Sequence, residues 1–195
     1  MTTAKPRPHL RLNWLFLLLL LLTVMFFSNA LRAEPGFFIK EAETRLVDKV
    51  HMLQLSLEYE FSEPVLEAIE SGVPMVVLLD IRVYKYRRFW MNKEVASLKQ
   101  RFRLHYQALV EQYVVKNINS GAQYTARTLH SALYGLRDIK NLPLIDHQLL
   151  DASRSHEVEL KVSIEFDSLP VPLKLSAYTS RKWWLGSAWH SIPMN

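Results

Sequence analysis

Six histidines lie beyond residue 33: His51, His105, His130, His147, His156 and His190. A helix gathers metal ligands at i, i+3 or i+4, and a strand at i, i+2. No two of the six stand at those spacings, so they read as scattered surface histidines. His147 follows Asp146, but neighbouring side chains on an extended segment point apart. Two carboxylate pairs, Glu58 with Glu60 and Glu157 with Glu159, share strand faces. Their alternation with apolar residues accounts for them as a wet face, whereas acid–base work needs a carboxyl of shifted pKa in a pocket. The five glycines are isolated, and no nucleophile elbow, phosphate loop or dinucleotide fingerprint is present. With no cysteine there is no disulfide, thiolate nucleophile, iron–sulfur cluster, cysteine zinc site or lipid-bearing cysteine. The expectation is a protein that is not an enzyme, with no catalytic, cofactor-binding or metal residue and no cofactor.

The densest unusual run is Arg82-Val83-Tyr84-Lys85-Tyr86-Arg87-Arg88-Phe89-Trp90, in which cations interleave with aromatic and apolar residues. Arg82, Lys85, Arg87, Arg88, Phe89 and Trp90 form a candidate contact patch. One reading is a surface for anionic lipid headgroups with Phe89 and Trp90 at the interface. A second is a groove for an acidic partner or a peptide strand. A third is a wet strand end on which Arg and Lys stems cover apolar surface. Strand alternation places Arg82 and Tyr84 together and Lys85 opposite. In the second aromatic cluster, Trp183 to Trp189, packing would use Trp183, Leu185 and Trp189 to plug the end of a core, with Trp184 facing out.

Period-two alternation supplies the elements that must position these residues. Leu53, Leu55, Leu57, Tyr59 and Phe61 alternate with polar residues, as do Val158, Leu160, Val162, Ile164 and Phe166. Phe102, Leu104 and Tyr106 repeat the pattern. Met75 to Leu79 is apolar on both faces before Ile81 and Val83 alternate with Asp80 and Arg82, which predicts a central strand. Weaker strands are expected over 37–47, 112–115, 173–178 and 183–189. Two short helices interrupt the series. Ser62 can cap 64–70 with Gly72 as the stop, and Thr128 can cap 129–139 with Asn141 after it. In the second, Leu129, Leu133 and Leu136 form one stripe. Leu169 to Pro172 reads as an extended bend. The predicted fold class is mainly β: an antiparallel sandwich, Ig-like or similar, with two short helices.

Charge and hydropathy add a leader. The chain has 195 residues and a net charge of +5, yet residues 1–33 hold four cations (Lys5, Arg7, Arg11, Arg32) and no acid. The remainder has 20 basic and 19 acidic residues, too even for a phosphate-binding domain, so nucleic acid is not an expected partner. From Trp14 to Phe27 the chain carries no charge, and Ser28-Asn29-Ala30 then offers small residues at a cleavage site. Residues 1–33 are expected to be a signal peptide or membrane anchor, and 34–195 a single domain. The apolar run is short for a span of about 20 residues, which favours cleavage near Leu31 or Glu34. An uncleaved leader would tether the domain to the inner membrane by residues 14–31. Either way the domain is expected in the periplasm.

Several motifs together resemble the domain-of-unknown-function 4390 family of exported proteobacterial proteins. They are Ala68-Ile69-Glu70-Ser71-Gly72-Val73-Pro74 leading into Leu79-Asp80-Ile81-Arg82-Val83 and Arg87-Arg88-Phe89-Trp90, then Leu104-His105-Tyr106-Gln107-Ala108-Leu109 with Gln112-Tyr113. The Leu169-Pro170-Val171-Pro172-Leu173 bend, Thr179-Ser180 to Trp184, and Ser187 to Trp189 complete the set, with Leu185-Gly186 a looser match. The resemblance implies an exported, membrane-linked protein, encoded beside a sensor kinase of the nitrogen-regulation type, with no catalytic residues to transfer. The expected function is a non-enzymatic binding or accessory module of the envelope, its partner an envelope signalling protein. The alternative is a structural envelope protein that touches lipid or other envelope components through Arg82–Trp90, and an unrecognised enzyme stands third.

Overall fold

The computed structural model describes residues 35–87 and 91–194. The leader and the Arg88, Phe89 and Trp90 portion of the contact patch lie outside the described residues.

Alternating segments become strands because each can bury one face while the ladder satisfies its backbone. β1 (Gly36–Val47) and β2 (Val50–Glu60) form an antiparallel hairpin. Its turn residues, Asp48 and Lys49, both have positive φ (48° and 69°), as a tight hairpin requires. In β2, His51, Leu53, Leu55 and Leu57 are buried and their neighbours half-exposed, so the period-two reading of this strand holds. β3 (Met75–Lys85) is central, flanked by β4 (Lys93–Gln107) and, on its other side, β8 (His156–Ile164). This explains why Met75, Val76 and Val77 are buried on both faces. β5 (Gln112–Asn117), β6 (Gln123–Ala126), β7 (Asp138–Asp146) and β9 (His190–Pro193) complete two antiparallel sheets. One runs β1-β2-β7 and the other β6-β5-β4-β3-β8-β9. The protein is thus mainly β, and the described residues hold three α-helices where two were expected.

α1 (Glu63–Glu70) starts with Pro64 in its first turn and is followed by Gly72 at φ 81°. Ser62 occupies the cap position, but its hydroxyl donates to the Lys182 carbonyl at 2.5 Å rather than capping the helix. α2 (Leu129–Arg137) is capped as expected: the Thr128 hydroxyl accepts from the Ser131 amide at 3.1 Å. It ends two residues short of Ile139 because β7 begins at once. Ile139 and Leu142 pair opposite Leu55 and Leu53 of β2, and Asn141 enters the strand with φ 53° instead of stopping a helix.

The expected strand over 173–178 is a helix, α3 (Val171–Thr179). Pro172 sits in its first turn, where the missing amide has no helical partner, so the extended bend stops at Pro170. The expected strand over 183–189 is also absent. A 3-10 turn covers Arg181–Trp183, and a single bridge joins Gly186 to Ser163 before β9.

Both sheets feed one hydrophobic cluster. Leu53, Leu55 and Leu57 of β2 belong to it together with Leu79, Ile81 and Val83 of β3 and Val158, Leu160 and Val162 of β8. Ala132 and Leu136 bring α2 into the same cluster, and the Tyr59 hydroxyl donates to the Leu136 carbonyl at 3.2 Å. Trp183 and Leu185 are buried in it, while Trp184 is 60% exposed. Trp189, expected as a plug, instead lies at the surface, 39% exposed.

Candidate functional site

The cationic run begins on β3 and leaves the sheet toward β4. Arg82 and Asp80 are two apart and share the sheet face away from the core. Their side chains meet as a fork, Nη2 to Oδ2 at 3.3 Å and Nε to Oδ1 at 3.4 Å. The guanidinium carbon lies 4.5 Å from the Trp189 ring centroid, and Lys161 Nζ 5.7 Å from it, so one indole serves two cations. The Asp80 carboxylate, and after it the Tyr84 hydroxyl, push the Arg82 pKa upward. Tyr84 shares this side and donates to Glu94 at 3.4 Å. Lys85 lies on the opposite side and pairs with Asp151. That lysine, together with Ser153, holds the Asp151 carboxyl well below its ordinary range.

Arg82 and Lys85 are therefore half-buried, paired, and on different faces. Arg87 is exposed, and its backbone amide donates to Asn92 Oδ1 at 3.3 Å. Of the patch residues on β3, the structure does not bring Arg82 and Lys85 onto one face.

Beyond this loop, β4 pairs with β3 from Lys93 to Leu104, but β5 joins β4 only from Phe102. Among the described residues, no strand pairs with Lys93–Arg101 on the side away from β3. The direction of each backbone group there can be read from the last bonds before β5. The Arg101 carbonyl accepts from the Ile118 amide at 2.8 Å, and the Arg101 amide donates to Asn119 Oδ1 at 2.9 Å. The Lys99 carbonyl accepts from Asn119 Nδ2 at 2.9 Å. Alternate residues of an antiparallel strand aim both groups at the same neighbour. Ser97, two residues earlier and still in register opposite Arg82, therefore aims its N–H and C=O away from β3. Ser97 and Val95 are exposed, and Met91 is 90% exposed. Arg87 and the remainder of the predicted patch precede this open edge directly in the chain.

Two other features were invisible to residue spacing. His51 Nε2 and His147 Nδ1 are 3.0 Å apart although 96 residues separate them, because β2 and β7 pair His51 with Ile145. Among the described residues, no group of three or more His, Asp or Glu is placed to hold a metal ion. A cleft of about 530 Å³ opens beside the β1 bulge at Ile39/Glu41. Lys40, Glu41, Glu43, Asp138, Lys140 and His190 line it with both signs of charge.

The model of the family described as "Domain of unknown function (DUF4390)" matches residues 34–193. No curated protein and no solved structure matches the chain.

Proposed function

The chain belongs to the domain-of-unknown-function 4390 family, and we propose that it acts, once exported to the periplasm, as a non-enzymatic binding module whose two sheets close on the shared core as a sandwich. The observation that carries this reading is the open edge of β4 over residues 93–97, ahead of the Lys99 and Arg101 groups that Ile118 and Asn119 occupy. A row of unpaired backbone groups is a template for an added strand, and binding modules accept extended peptides on such edges. Arg87, Lys93 and Lys99 outnumber Glu94 along it and favour a partner segment bearing carboxylates. An envelope signalling protein, the partner implied by the family resemblance, is the proposed source of that segment. The lipid-contact reading of Arg82–Trp90 stands second, because the pairing of Arg82 with Asp80 and of Lys85 with Asp151 already occupies two of its cations.

The test uses a photo-crosslinking residue at Met91 or Val95 of the full chain in cells, with and without Ser97→Pro. Proline at this position removes an amide that faces away from β3 and leaves the β3 ladder whole. We expect one dominant crosslinked partner, lost in the Ser97→Pro background while the melting temperature stays within about 3 °C of wild type, since edge positions tolerate proline. Equal crosslinking in both backgrounds would overturn strand addition. Terminal sequencing of protein from an envelope fraction tests export, with a new N-terminus expected near Leu31 or Glu34.

A further inference from the structure

α3 is apolar on both sides, yet the fold covers one side alone. Ala177 is buried and Leu173 half-buried against the domain, while Val171, Leu175 and Tyr178 are 79%, 72% and 52% exposed. These three stand at i, i+4 and i+7, which is one stripe of a helix. Trp184 stands beside the C-terminal end of the same helix: its Nε1 donates to the Ala177 carbonyl at 3.0 Å, and 60% of the residue is exposed.

The segment that carries this stripe holds cations only, and one carboxylate from outside it reaches the stripe. From Ser168 to the end of the chain there are three cations, Lys174, Arg181 and Lys182, and no acidic side chain. Arg181 and Lys182 are exposed in the turn that follows α3. The nearest acid in the chain, Asp167, accepts a hydrogen bond from the Tyr178 hydroxyl at 2.8 Å. Leucine and valine flanked by a tyrosine, a tryptophan and basic side chains is the composition of a face that lies in a headgroup layer.

We propose that the Val171–Leu175–Tyr178–Trp184 face docks on a bilayer surface carrying anionic phospholipid, with Lys174, Arg181 and Lys182 over the headgroups. Two arguments favour lipid over a protein occupant. Four partly exposed side chains present on the order of the largest patch found on ordinary monomers, below the ~800 Å² per partner that a stable protein interface takes. Lys174, Arg181 and Lys182 outnumber Asp167, the one carboxylate hydrogen-bonded to the stripe, and so favour an anionic surface, whereas protein interfaces deplete lysine at the core of the contact. The docking is separate from strand addition at β4, and either can fail alone.

The absence of native cysteine supplies the test. The full chain with Leu175→Cys carries a single polarity-sensitive label, and a second protein carries it at Glu67→Cys on the exposed side of α1. Both are placed in vesicles of phosphatidylcholine alone or mixed with phosphatidylglycerol, so the N-terminal run and its four cations contribute equally to the two labelled proteins in each vesicle. With phosphatidylglycerol, the emission at position 175 should shift to the blue and fall when the lipid bears a spin-label quencher; position 67 should do neither. High salt should reverse the shift. Arg181→Ser with Lys182→Ser should lower the ratio of lipid-facing to water-facing label roughly thirtyfold, about fivefold for each cation. A label at 175 that stays water-like in both vesicles refutes the proposal. So does a blue shift without lipid that grows with protein concentration, which would assign the face to a second copy of this chain.

Discussion

Replacing Leu57 by alanine tests whether the two sheets truly share one core. Leu57 lies in the middle of β2, is 1% exposed, and belongs to the cluster that includes Val162 from the other sheet. The substitution removes the buried branched end of the side chain and leaves a cavity between elements held on both sides by ladders. Leucine-to-alanine changes at such sites cost about 2–5 kcal/mol, with the upper half expected where the walls cannot collapse. The β1–β2–β7 ladder holds the backbone on either side of Leu57, so we expect about 3–4 kcal/mol. For a domain of this size each kcal/mol lowers the melting temperature by about 2–4 °C, which gives a drop of roughly 10 °C. The assay is urea unfolding followed by tryptophan fluorescence: the midpoint should fall with the slope unchanged. Glu58→Ala is the internal control. Its side chain is 41% exposed and pairs with Lys40 at the surface, so its loss should barely move the midpoint. Equal effects from the two substitutions would refute the face assignment of β2.

Three further changes probe local geometry. Gly72 sits at φ 81° with the Tyr106 carbonyl 3.3 Å from where a Cβ would stand, so Gly72→Ala should cost about 1–2 kcal/mol in chemical denaturation. Gly135→Ala would ordinarily stabilise a helix by up to about 1 kcal/mol. Here the new methyl would lie 2.5 Å from the Tyr124 hydroxyl, whose bond to the Ala132 carbonyl must give way, so no gain or a net loss should appear and the gain should return in a Tyr124→Ala background. His156 is buried, and burial followed by the nearby Lys85 charge lowers its pKa, with the Asp151 carboxylate opposing. The unfolded chain then takes the proton first, near its ordinary value of about 6.5, so stability present above that pH is lost as pH falls below it. Unfolding midpoints measured from pH 7.5 to 5 should decline less steeply in His156→Gln, and parallel curves would show that His156 does not drive the loss.

β2, β3 and β8 were legible because each buries one face of a regular pleat, or in β3 both, and that burial writes itself into period-two letters. α2 was legible from the Thr128 cap and a leucine stripe. α3 was not, because Leu173, Leu175 and Ala177 alternate with Lys174, Ser176 and Tyr178 as a strand would, and prolines at 170 and 172 suit an extended bend as well as a first helical turn. Packing decided it: Ala177 is fully buried and Leu175 is not, a difference that period two denies. β7 escaped notice because Asn141 and Pro143 interrupt it, and an edge strand tolerates both. The patch from Arg82 to Trp90 was visible as composition, but pairing with Asp80 and Asp151 depends on partners that spacing does not reveal. The open edge of β4 is still further from the letters. It exists because β4 runs 15 residues while β5 supplies six, a mismatch that belongs to the sheet and not to either strand.

The near-neutral balance beyond residue 33 conceals a segregation with mechanical consequences. All 19 acidic side chains precede Ser168, together with 17 of the 20 cations beyond residue 33, so that part of the chain is close to balanced while the segment holding α3 carries three cations alone. Charge steers contacts over a Debye length of about 8 Å at physiological ionic strength, so a uniform mixture would steer toward nothing. Segregation along the chain lets α3 prefer an anionic surface that the balanced charge of the sheets does not seek. The open edge of β4 is then free to receive a strand while α3 is engaged, because the two features reside on different elements and use different forces: backbone hydrogen bonds at one, apolar burial with headgroup charge at the other. Ser97→Pro should therefore leave the vesicle-induced shift at position 175 intact, and Arg181→Ser with Lys182→Ser should leave crosslinking from Met91 intact. If either change silences both readouts, the two contacts are one site and the separation argued from charge is wrong.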